Sequence, residues 1–301
     1  MKLGDILVCL DPTDAGEHRL HLAATIAREH QAHLSAAYVM TEKIAGAAPY
    51  GGLGIAAPAE AAAGIAEGGL VAGIPTPGIP SAPNPDMMRG AALADIIEQR
   101  YREAVRQHAV AGDWHLFGAG EAAELVALAK TADLVVYGQA SREYRAPTGF
   151  RPEDIVIACG RPMLVTPYAG NFGAIGRRVL IAWDATREAT RALHDALPLL
   201  DKAEAVTVMT VRAREAQFER DRPGLDRIVR HLERHGITAH AEETLQGDLP
   251  VSDVLLSRAS DLDADMIVAG AYHHSQFREA LLGGVSRELL EHMTVPVLMS
   301  H

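Results

Sequence analysis

The chain has 301 residues, of which 48% are hydrophobic and 22% charged, and its formal net charge is −11. This globular composition excludes a collagen-like chain, a disulfide-rich scaffold and a wholly disordered chain, and the length favours about two domains. Acidic residues outnumber basic ones by 19 to 13 up to residue 175 and by 20 to 15 after it. Neither part therefore has the basic surface that nucleic acids or anionic lipids require.

Cysteine usage and the N-terminal segment predict a cytoplasmic protein. Cys9 and Cys159 are the only cysteines, which is too few for the disulfide framework of a secreted protein. Both lie in apolar runs, which predicts buried structural thiols rather than reactive ones. The first residues lack the sustained apolar segment of a signal peptide, and no uncharged apolar run reaches the ~20 residues of a membrane span.

Three segments recur in the same order in two parts of the chain. In chain order, ILVCLD (6–11), ADLVVYG (132–138) and RPMLV (161–165) match VLIAWD (179–184), ADMIVAG (264–270) and VPVLM (295–299). The first segment of each set is an apolar run that ends in an aspartate, Asp11 or Asp184. Three matches in one order indicate a tandem duplication, with a first domain over 1–170 and a second over 176–301.

The first copy is longer because it contains an insertion at 46–85. Gly, Ala and Pro make up 27 of these 40 residues, and Glu60 and Glu67 are the only charged ones. Segments of this composition bury too little apolar surface to order themselves. We expect a variable loop with at most a short Ala-rich helix around 59–66. A lid or a packing arm is the functional alternative.

The second copy alternates predicted strands and helices. Its apolar runs, β-branched stretches and helical spacings predict, in order, a strand at 179–183, a helix at 190–200, a strand at 205–211, a helix at 224–235, a strand at 238–244, a helix N-capped by Ser252, a strand at 266–269, a helix at 286–293 and a strand at 296–300. This order predicts an α/β domain with a doubly wound, five-stranded parallel sheet. Ligands of such sheets bind outside the carboxyl ends of the strands.

The strongest candidate site follows the fourth strand of the second copy. The segment GAYH (270–273) is separated by nine residues from GGVS (283–286), which opens a helix. Glycines at a strand end and a helix start let backbone N–H groups approach an anion, and the helix N-terminus adds a favourable dipole. Ser286 can cap the helix or donate to a phosphate. A purely structural glycine turn before a capped helix fits the same pattern, so both interpretations stay open at this point.

With this segment, the sequence resembles a tandem universal stress protein over nearly the whole chain outside the insertion, most specifically at 282–300. Nucleotide-binding members of that family carry Gly-x2-Gly-x9-Gly-Ser/Thr between the fourth strand and the fourth helix, and an aspartate at the end of the first strand. The resemblance implies two Rossmann-like, adenine nucleotide alpha hydrolase-like domains in tandem, with ATP or AMP as the ligand of the second. It implies a binding site formed by Asp184, Val211, Gly270, His273, Gly283, Gly284, Val285 and Ser286. Adenine and ribose would lie near Asp184 and Val211, and the phosphates near Gly270, Gly283 and Ser286.

Two positions depart from the family's binding motif. His273 replaces its second glycine, and Gly284 replaces its Ser/Thr. A histidine pair in this loop resembles the branch of the family that binds no nucleotide. An imidazole at position 273 would also crowd a phosphate that needs bare backbone. The same imidazole can instead hydrogen-bond to the phosphate. The first copy has neither the second glycine nor a Gly-Ser pair, so we expect it to be degenerate and Asp11 to be a turn or cap residue.

The resemblance implies a non-catalytic stress-response binding or signalling protein. The motifs of phosphate-binding loops, nucleophile elbows and zinc proteases are missing from the sequence. The enzyme alternative is a nucleotide hydrolase or an adenylyl-transfer enzyme. The other alternative is a pure protein-interaction module that binds no nucleotide and uses the insertion as its contact arm.

Two histidine pairs have the spacing of metal ligands. His18 and His21 are three residues apart, and His231 and His235 are four residues apart. No further ligand is linked to either pair in the sequence. Both pairs therefore predict solvated helix faces rather than metal sites.

The fifth strand of each copy predicts how the two copies pack. In this family these strands commonly pair edge to edge, and an exposed edge strand needs cover. The resemblance therefore implies that 163–167 and 297–301 pair and join the copies as a pseudo-dimer, to which a further homodimer can be added.

Overall fold

In the computed structural model, the described residues are 2–40, 85–118, 121–140, 152–212, 218–271 and 284–301. They form an α/β structure in which ten strands make a single sheet. The insertion up to residue 84, including the short helix expected around 59–66, lies outside the described residues, so its predicted form stays a prediction.

The first half of the chain (2–170) alternates strands and helices. Its strands are β1 (Asp5–Leu10), β2 (His33–Val39), β3 (Trp114–Phe117), β4 (Leu134–Gly138) and β5 (Met163–Thr166). Its helices are α1 (Asp14–His30), α2 (Pro85–His108), α3 (Ala122–Ala129) and α4 (Pro152–Cys159).

The second half (176–301) repeats this order. Its strands are β6 (Arg178–Ala182), β7 (Ala205–Arg212), β8 (Ala239–Leu245), β9 (Met266–Gly270) and β10 (Val297–Ser300). Its helices are α5 (Arg187–Ala196), α6 (Phe218–Arg234), α7 (Val251–Asp261) and α8 (Gly284–His292), with a short 3-10 helix at Leu197–Leu200. The structure confirms the predicted order of strands and helices in this half.

The starts of α5, α6, α7 and α8 all differ from the sequence-based expectation. α5 begins at Arg187, and its last predicted turn is a 3-10 helix because Pro198 has no N–H to continue the α-helical pattern. α6 begins six residues before the expected start. The prediction that Ser252 N-caps α7 is wrong, because the residue before the helix is Pro250. Ser252 lies buried in the first turn, where its hydroxyl donates to Oε2 of Glu288 at 2.8 Å.

The strands follow the order β3-β2-β1-β4-β5-β10-β9-β6-β7-β8. Neighbouring strands within each half are parallel, and β2 and β4 lie on opposite sides of β1, as β7 and β9 do of β6. The halves meet where β5 and β10 pair antiparallel, with Leu164 opposite Leu298. This confirms the predicted pairing of the fifth strands, and it makes one continuous sheet of the two expected five-stranded sheets.

A glutamine adds a polar contact at this junction. Gln139, directly after β4, is buried, and its Nε2 donates to the carbonyl oxygens of Leu290 (2.7 Å) and Glu291 (3.1 Å) at the end of α8. Its Oε1 accepts from the backbone N–H of Tyr168 at 3.1 Å. The end of β4 in the first half therefore caps the last turn of a helix in the second half.

The aspartates of the repeated Ala-Asp pairs hold the amino ends of neighbouring strands together. Oδ2 of Asp133 accepts from the backbone N–H groups of Gly4 (2.7 Å) and Asp5 (3.1 Å) at the start of β1. Asp265 accepts from the backbone N–H of Gly176, before β6, at 2.7 Å. These side chains lie at the edge of the sheet opposite to the carboxyl ends, so their recurrence is structural.

Alternate strand residues face two hydrophobic clusters on opposite sides of the sheet. One cluster packs under α1, α2, α5 and α6, and the other under α3, α4, α7 and α8. Burial on both faces explains why the central strands read as continuous apolar runs. Across the ranges given above, no helix is both long and apolar enough to cross a membrane.

Candidate functional site

A pocket of about 310 Å³ opens at the carboxyl ends of β6, β7 and β9. Its volume is at the lower end of the range of small-ligand sites, ~300–1,000 Å³. The first turns of α5 and α8 and apolar side chains of α7 complete its walls. The strand order reverses between β6 and β9, and open α/β sheets bind ligands at this position.

Six of the eight predicted site residues line this pocket. They are Asp184, Val211, Gly270, Gly284, Val285 and Ser286. The other two, His273 and Gly283, lie outside the described residues. The structure thus brings together residues from the ends of three strands and the start of one helix.

Asp184 follows β6 and is held by the turn that begins α5. Its Oδ1 accepts hydrogen bonds from the backbone N–H (3.0 Å) and the hydroxyl (2.6 Å) of Thr186. Thr186 in turn N-caps α5 by accepting from the N–H of Ala189 at 3.1 Å. Oδ2 of Asp184 receives no hydrogen bond from the described part of the chain, and the side chain is exposed. This oxygen is therefore available to a donor group on a ligand.

Gly270 ends β9 against the start of α5. A Cβ atom at this position would lie 2.6 Å from the backbone nitrogen of Ala189 and 2.7 Å from the carbonyl carbon of Glu188. No real Cβ atom approaches backbone atoms so closely, so this packing requires glycine. Gly270 lines the pocket, but its lack of a side chain is explained by helix packing alone.

Ser286 lies in the first turn of α8 rather than at its N-cap, because the helix begins at Gly284. Of the two roles that the sequence left open for Ser286, the helix cap is therefore excluded, and donation to a phosphate stays a prediction. The side chain is 8% exposed, and its Oγ is 3.4 Å from the carbonyl oxygen of Gly270. Backbone N–H groups in the first turn of a helix have no intrahelical acceptor, so they can bind an anion beside Ser286.

Glu188 also lines the pocket, and the sequence analysis missed it. It lies in the first turn of α5 with 9% exposure, and its Oε1 is 3.7 Å from Nε of Arg187. An acidic residue two positions after an N-capping threonine is a usual helix-start signal, which gave no reason to expect it in a site. With Asp184, it gives the described pocket wall two carboxylates and no basic side chain.

Comparison with known proteins decides the family of this half. Residues 176–301 match the model of the Universal stress protein family. The second half is a universal stress protein domain. No curated protein matches the sequence of the chain.

Solved structures repeat the fold over the whole chain. A universal stress protein from Archaeoglobus fulgidus DSM 4304 is 12% identical, covers 98% of this chain and 95% of its own, and has a TM-score of 0.69. A protein of unknown function from Pseudomonas aeruginosa PAO1 is 16% identical, covers 98% and 92%, and has a TM-score of 0.57. A universal stress protein from Archaeoglobus fulgidus in complex with dAMP is 21% identical, covers 41% and 96%, and has a TM-score of 0.34. The first two of these structures show that the chain has the adenine nucleotide alpha hydrolase-like fold expected for universal stress proteins.

The first half places Asp11 in the same kind of turn as Asp184 of the universal stress protein domain. Asp11 accepts from the backbone N–H of Thr13 at 3.0 Å, and Thr13 N-caps α1 by accepting from the N–H of Gly16 at 3.1 Å. This confirms that Asp11 is a turn residue. Asp11 differs from Asp184 in one respect, because its Oδ2 is ion-paired with Arg19.

The structure brings histidines of two helices together in the universal stress protein domain. His194 of α5 lies next to His231 of α6, with ring centroids 5.0 Å apart, and His231 lies 4.7 Å from His235. Burial, and then the neighbouring imidazoles, lower the pKa of His231. His231 is half-buried and His235 is exposed, so this helix face is partly solvated. The described ranges contain no group of three or more His, Cys, Asp or Glu arranged to hold a metal ion.

Cys9 and Cys159 are free and buried, which confirms the expectation of buried thiols. Burial raises the pKa of Cys9 from 9.0 to about 12, and burial also raises the pKa of Cys159. A thiol reacts as its thiolate, so burial and the raised pKa both disfavour reaction of these side chains in the folded protein.

We expect neither thiol to react with dithionitrobenzoate at pH 8 until the protein is unfolded in urea. Folding raises the pKa of Cys9, so protonation of this thiol favours the folded state. The contribution to the free energy of unfolding is complete below pH 9 and is lost as the pH rises towards 12. This loss is about 1.4 kcal/mol per pH unit of unfolding free energy. Cys9→Ala should reduce the alkaline slope of a pH series of urea unfolding curves. Rapid labelling of the native protein would contradict the prediction.

Proposed function

We propose that the universal stress protein domain binds an adenine nucleotide, ATP or AMP, and acts as a non-catalytic binding protein of the stress response. One observation carries the proposal: Asp184, Gly270 and Ser286, three positions of the family's nucleotide motif, converge on a single pocket within the matched residues. The pocket lies at the strand-order reversal, where this class of sheet binds ligands.

The chemistry of the pocket wall suggests how the ligand is oriented. The two carboxylates, Asp184 and Glu188, disfavour a phosphate group beside them because like charges repel. The free Oδ2 of Asp184 can accept a hydrogen bond from a ribose hydroxyl or an amino group. Apolar side chains, including Met209 and Val211, can pack against the base. The phosphates would then lie at the start of α8, beside the hydroxyl of Ser286.

The described residues leave room for a phosphate at the start of α8. Among them, the nearest atom to a Cβ on Gly284 would be Oε1 of Glu288, at 3.9 Å. This openness supports a phosphate contact at the position where the family's motif has Ser/Thr. In this proposal the contact would come from the backbone of Gly284 rather than from a hydroxyl.

The proposal extends to the whole chain and its location. The repeated topology supports a division into two domains, 1–170 and 176–301, of which the second binds the nucleotide. Both cysteines are free thiols, which supports a reducing compartment such as the cytoplasm.

Calorimetric titration with ATP and, separately, with AMP tests the proposal. We expect saturable binding that Asp184→Asn weakens at least tenfold, about 1.4 kcal/mol of binding free energy. The asparagine Oδ1 can still accept both hydrogen bonds from Thr186, so the turn is kept while the ligand loses a charged acceptor. Asp201→Asn, at an exposed position after the 3-10 helix, makes the same charge change and should bind like the wild type. No saturable heat at millimolar ATP or AMP would exclude the function.

A further inference from the structure

The two halves differ at one position beside their equivalent aspartates. Eight residues after Asp11 the first half has Arg19, and eight residues after Asp184 the second half has Ala192. Both residues lie on the first helix of their half, and both are buried. At this helix position, a long cationic side chain is therefore present in the first half and replaced by alanine in the second.

The guanidinium of Arg19 spans the carboxyl ends of β1 and β4. Its Nη2 is paired with Oδ2 of Asp11, directly after β1. Its other nitrogen, Nη1, fills the space beside Gly138, where a Cβ atom would collide with it. In the second half, the same direction from Gly270 leads to the start of α5, namely the backbone of Ala189 and the backbone and Cβ of Glu188. Arg19 thus occupies the first half's counterpart of the ligand crevice, between the ends of β1 and β4.

The ion pair between Arg19 and Asp11 makes displacement of the guanidinium by a ligand unfavourable. Arg19 is 3% exposed, and its Nε has no hydrogen-bond partner in the part of the chain that the structure describes, so its buried charge depends there on the carboxylate of Asp11. A ligand that used Asp11 would have to displace the guanidinium and leave a buried cation without a partner, which is strongly unfavourable. Within the described ranges, Asp184 has no such competitor, and its Oδ2 receives no hydrogen bond.

We infer that Arg19 is an internal occupant of the crevice between β1 and β4, which keeps ligands out of the first half and leaves the chain with one nucleotide site. The number of sites rests on the proposed function. The occupancy of the crevice by Arg19 does not.

Chemical rescue tests the occupancy independently of any nucleotide. Arg19→Ala removes the atoms beyond Cβ, which correspond to ethylguanidinium. We expect Arg19→Ala to lower Tm, and ethylguanidinium at millimolar concentration to raise the Tm of this variant saturably by several degrees. The wild type and Arg102→Ala, which removes an exposed arginine paired with Glu98 at 2.6 Å, should show no such rise. Asp11→Ala/Arg19→Ala should lose the rescue, because the carboxylate that binds the cation is gone.

Nucleotide stoichiometry of the wild type provides the second measurement, which needs no variant to fold. We expect one ATP per chain. Two per chain, or an Arg19→Ala protein that folds and shows no saturable response to ethylguanidinium, would overturn the inference. If the wild type binds no nucleotide and the rescue succeeds, the proposed function fails while the occupancy by Arg19 stands.

Discussion

Asp11→Ala should lower the free energy of unfolding by about 3–5 kcal/mol, because it leaves the buried guanidinium of Arg19 without its anionic partner. The equivalent substitution Asp184→Ala removes an exposed carboxylate that accepts from Thr186 and leaves no buried charge behind. It should cost about 1 kcal/mol, as for other residues that hold a helix start. Urea unfolding of both variants measures the difference.

Nucleotide titration of the same pair should give the opposite ranking. Asp184→Ala is expected to lose binding and Asp11→Ala to keep it, provided that the latter is folded. Asp11→Ala/Arg19→Met should recover much of the lost stability, because a buried ion pair can be replaced by apolar side chains at little cost. Equal destabilisation by the two alanine substitutions would show that the Asp11–Arg19 pair is not the source of the effect.

Gly270→Ala should destabilise the protein by about 1–3 kcal/mol, the usual range for overpacking a buried site. The new methyl group would meet the backbone of Glu188 and Ala189, at 2.7 and 2.6 Å, and backbone atoms cannot rotate away as a flexible side chain can. The start of α5 must therefore move, and with it the turn that holds Asp184. We expect a lower urea midpoint and weaker nucleotide binding in the same variant.

Gly284→Ala is the matched control for this substitution. It places the same methyl group at Gly284, which also lines the pocket and where the nearest atom of the described ranges would be 3.9 Å away. Because alanine favours a helix over glycine by up to about 1 kcal/mol, its stability should be unchanged or slightly higher. A wild-type midpoint for Gly270→Ala would refute the packing argument.

The sequence predicted the fold well because its signals are local and repeated. Apolar runs such as 179–183, each ending at an aspartate, marked strands buried on both faces. Helix starts were predicted less accurately where a serine hydroxyl could either cap a helix or donate to a distant side chain. Ser252 looks like an N-cap in the sequence, but in the fold its hydroxyl donates to Glu288, which is 36 residues away.

The candidate site was predicted only in part, because only those of its residues that form a local sequence pattern could be recognised. Asp184, Gly270 and Ser286 form a pattern of fixed spacing, and the structure brings them to one pocket. Glu188 and Arg19 could not be found in this way. Each looks like an ordinary helix residue in the sequence, and its role depends on which strand end the helix meets.

The antiparallel pairing of β5 with β10 has a consequence for assembly. Two separate subunits joined in this way would part on dilution, whereas two segments of one chain hold each other at an effective concentration of about the millimolar range. The pairing also uses the inner backbone edge of each half, so β3 and β8 are the outermost strands of the described sheet. Because the two halves are covalently linked, their pairing does not depend on protein concentration. The end of α8, the helix whose start lines the pocket, therefore contacts Gln139 of the first half in every molecule.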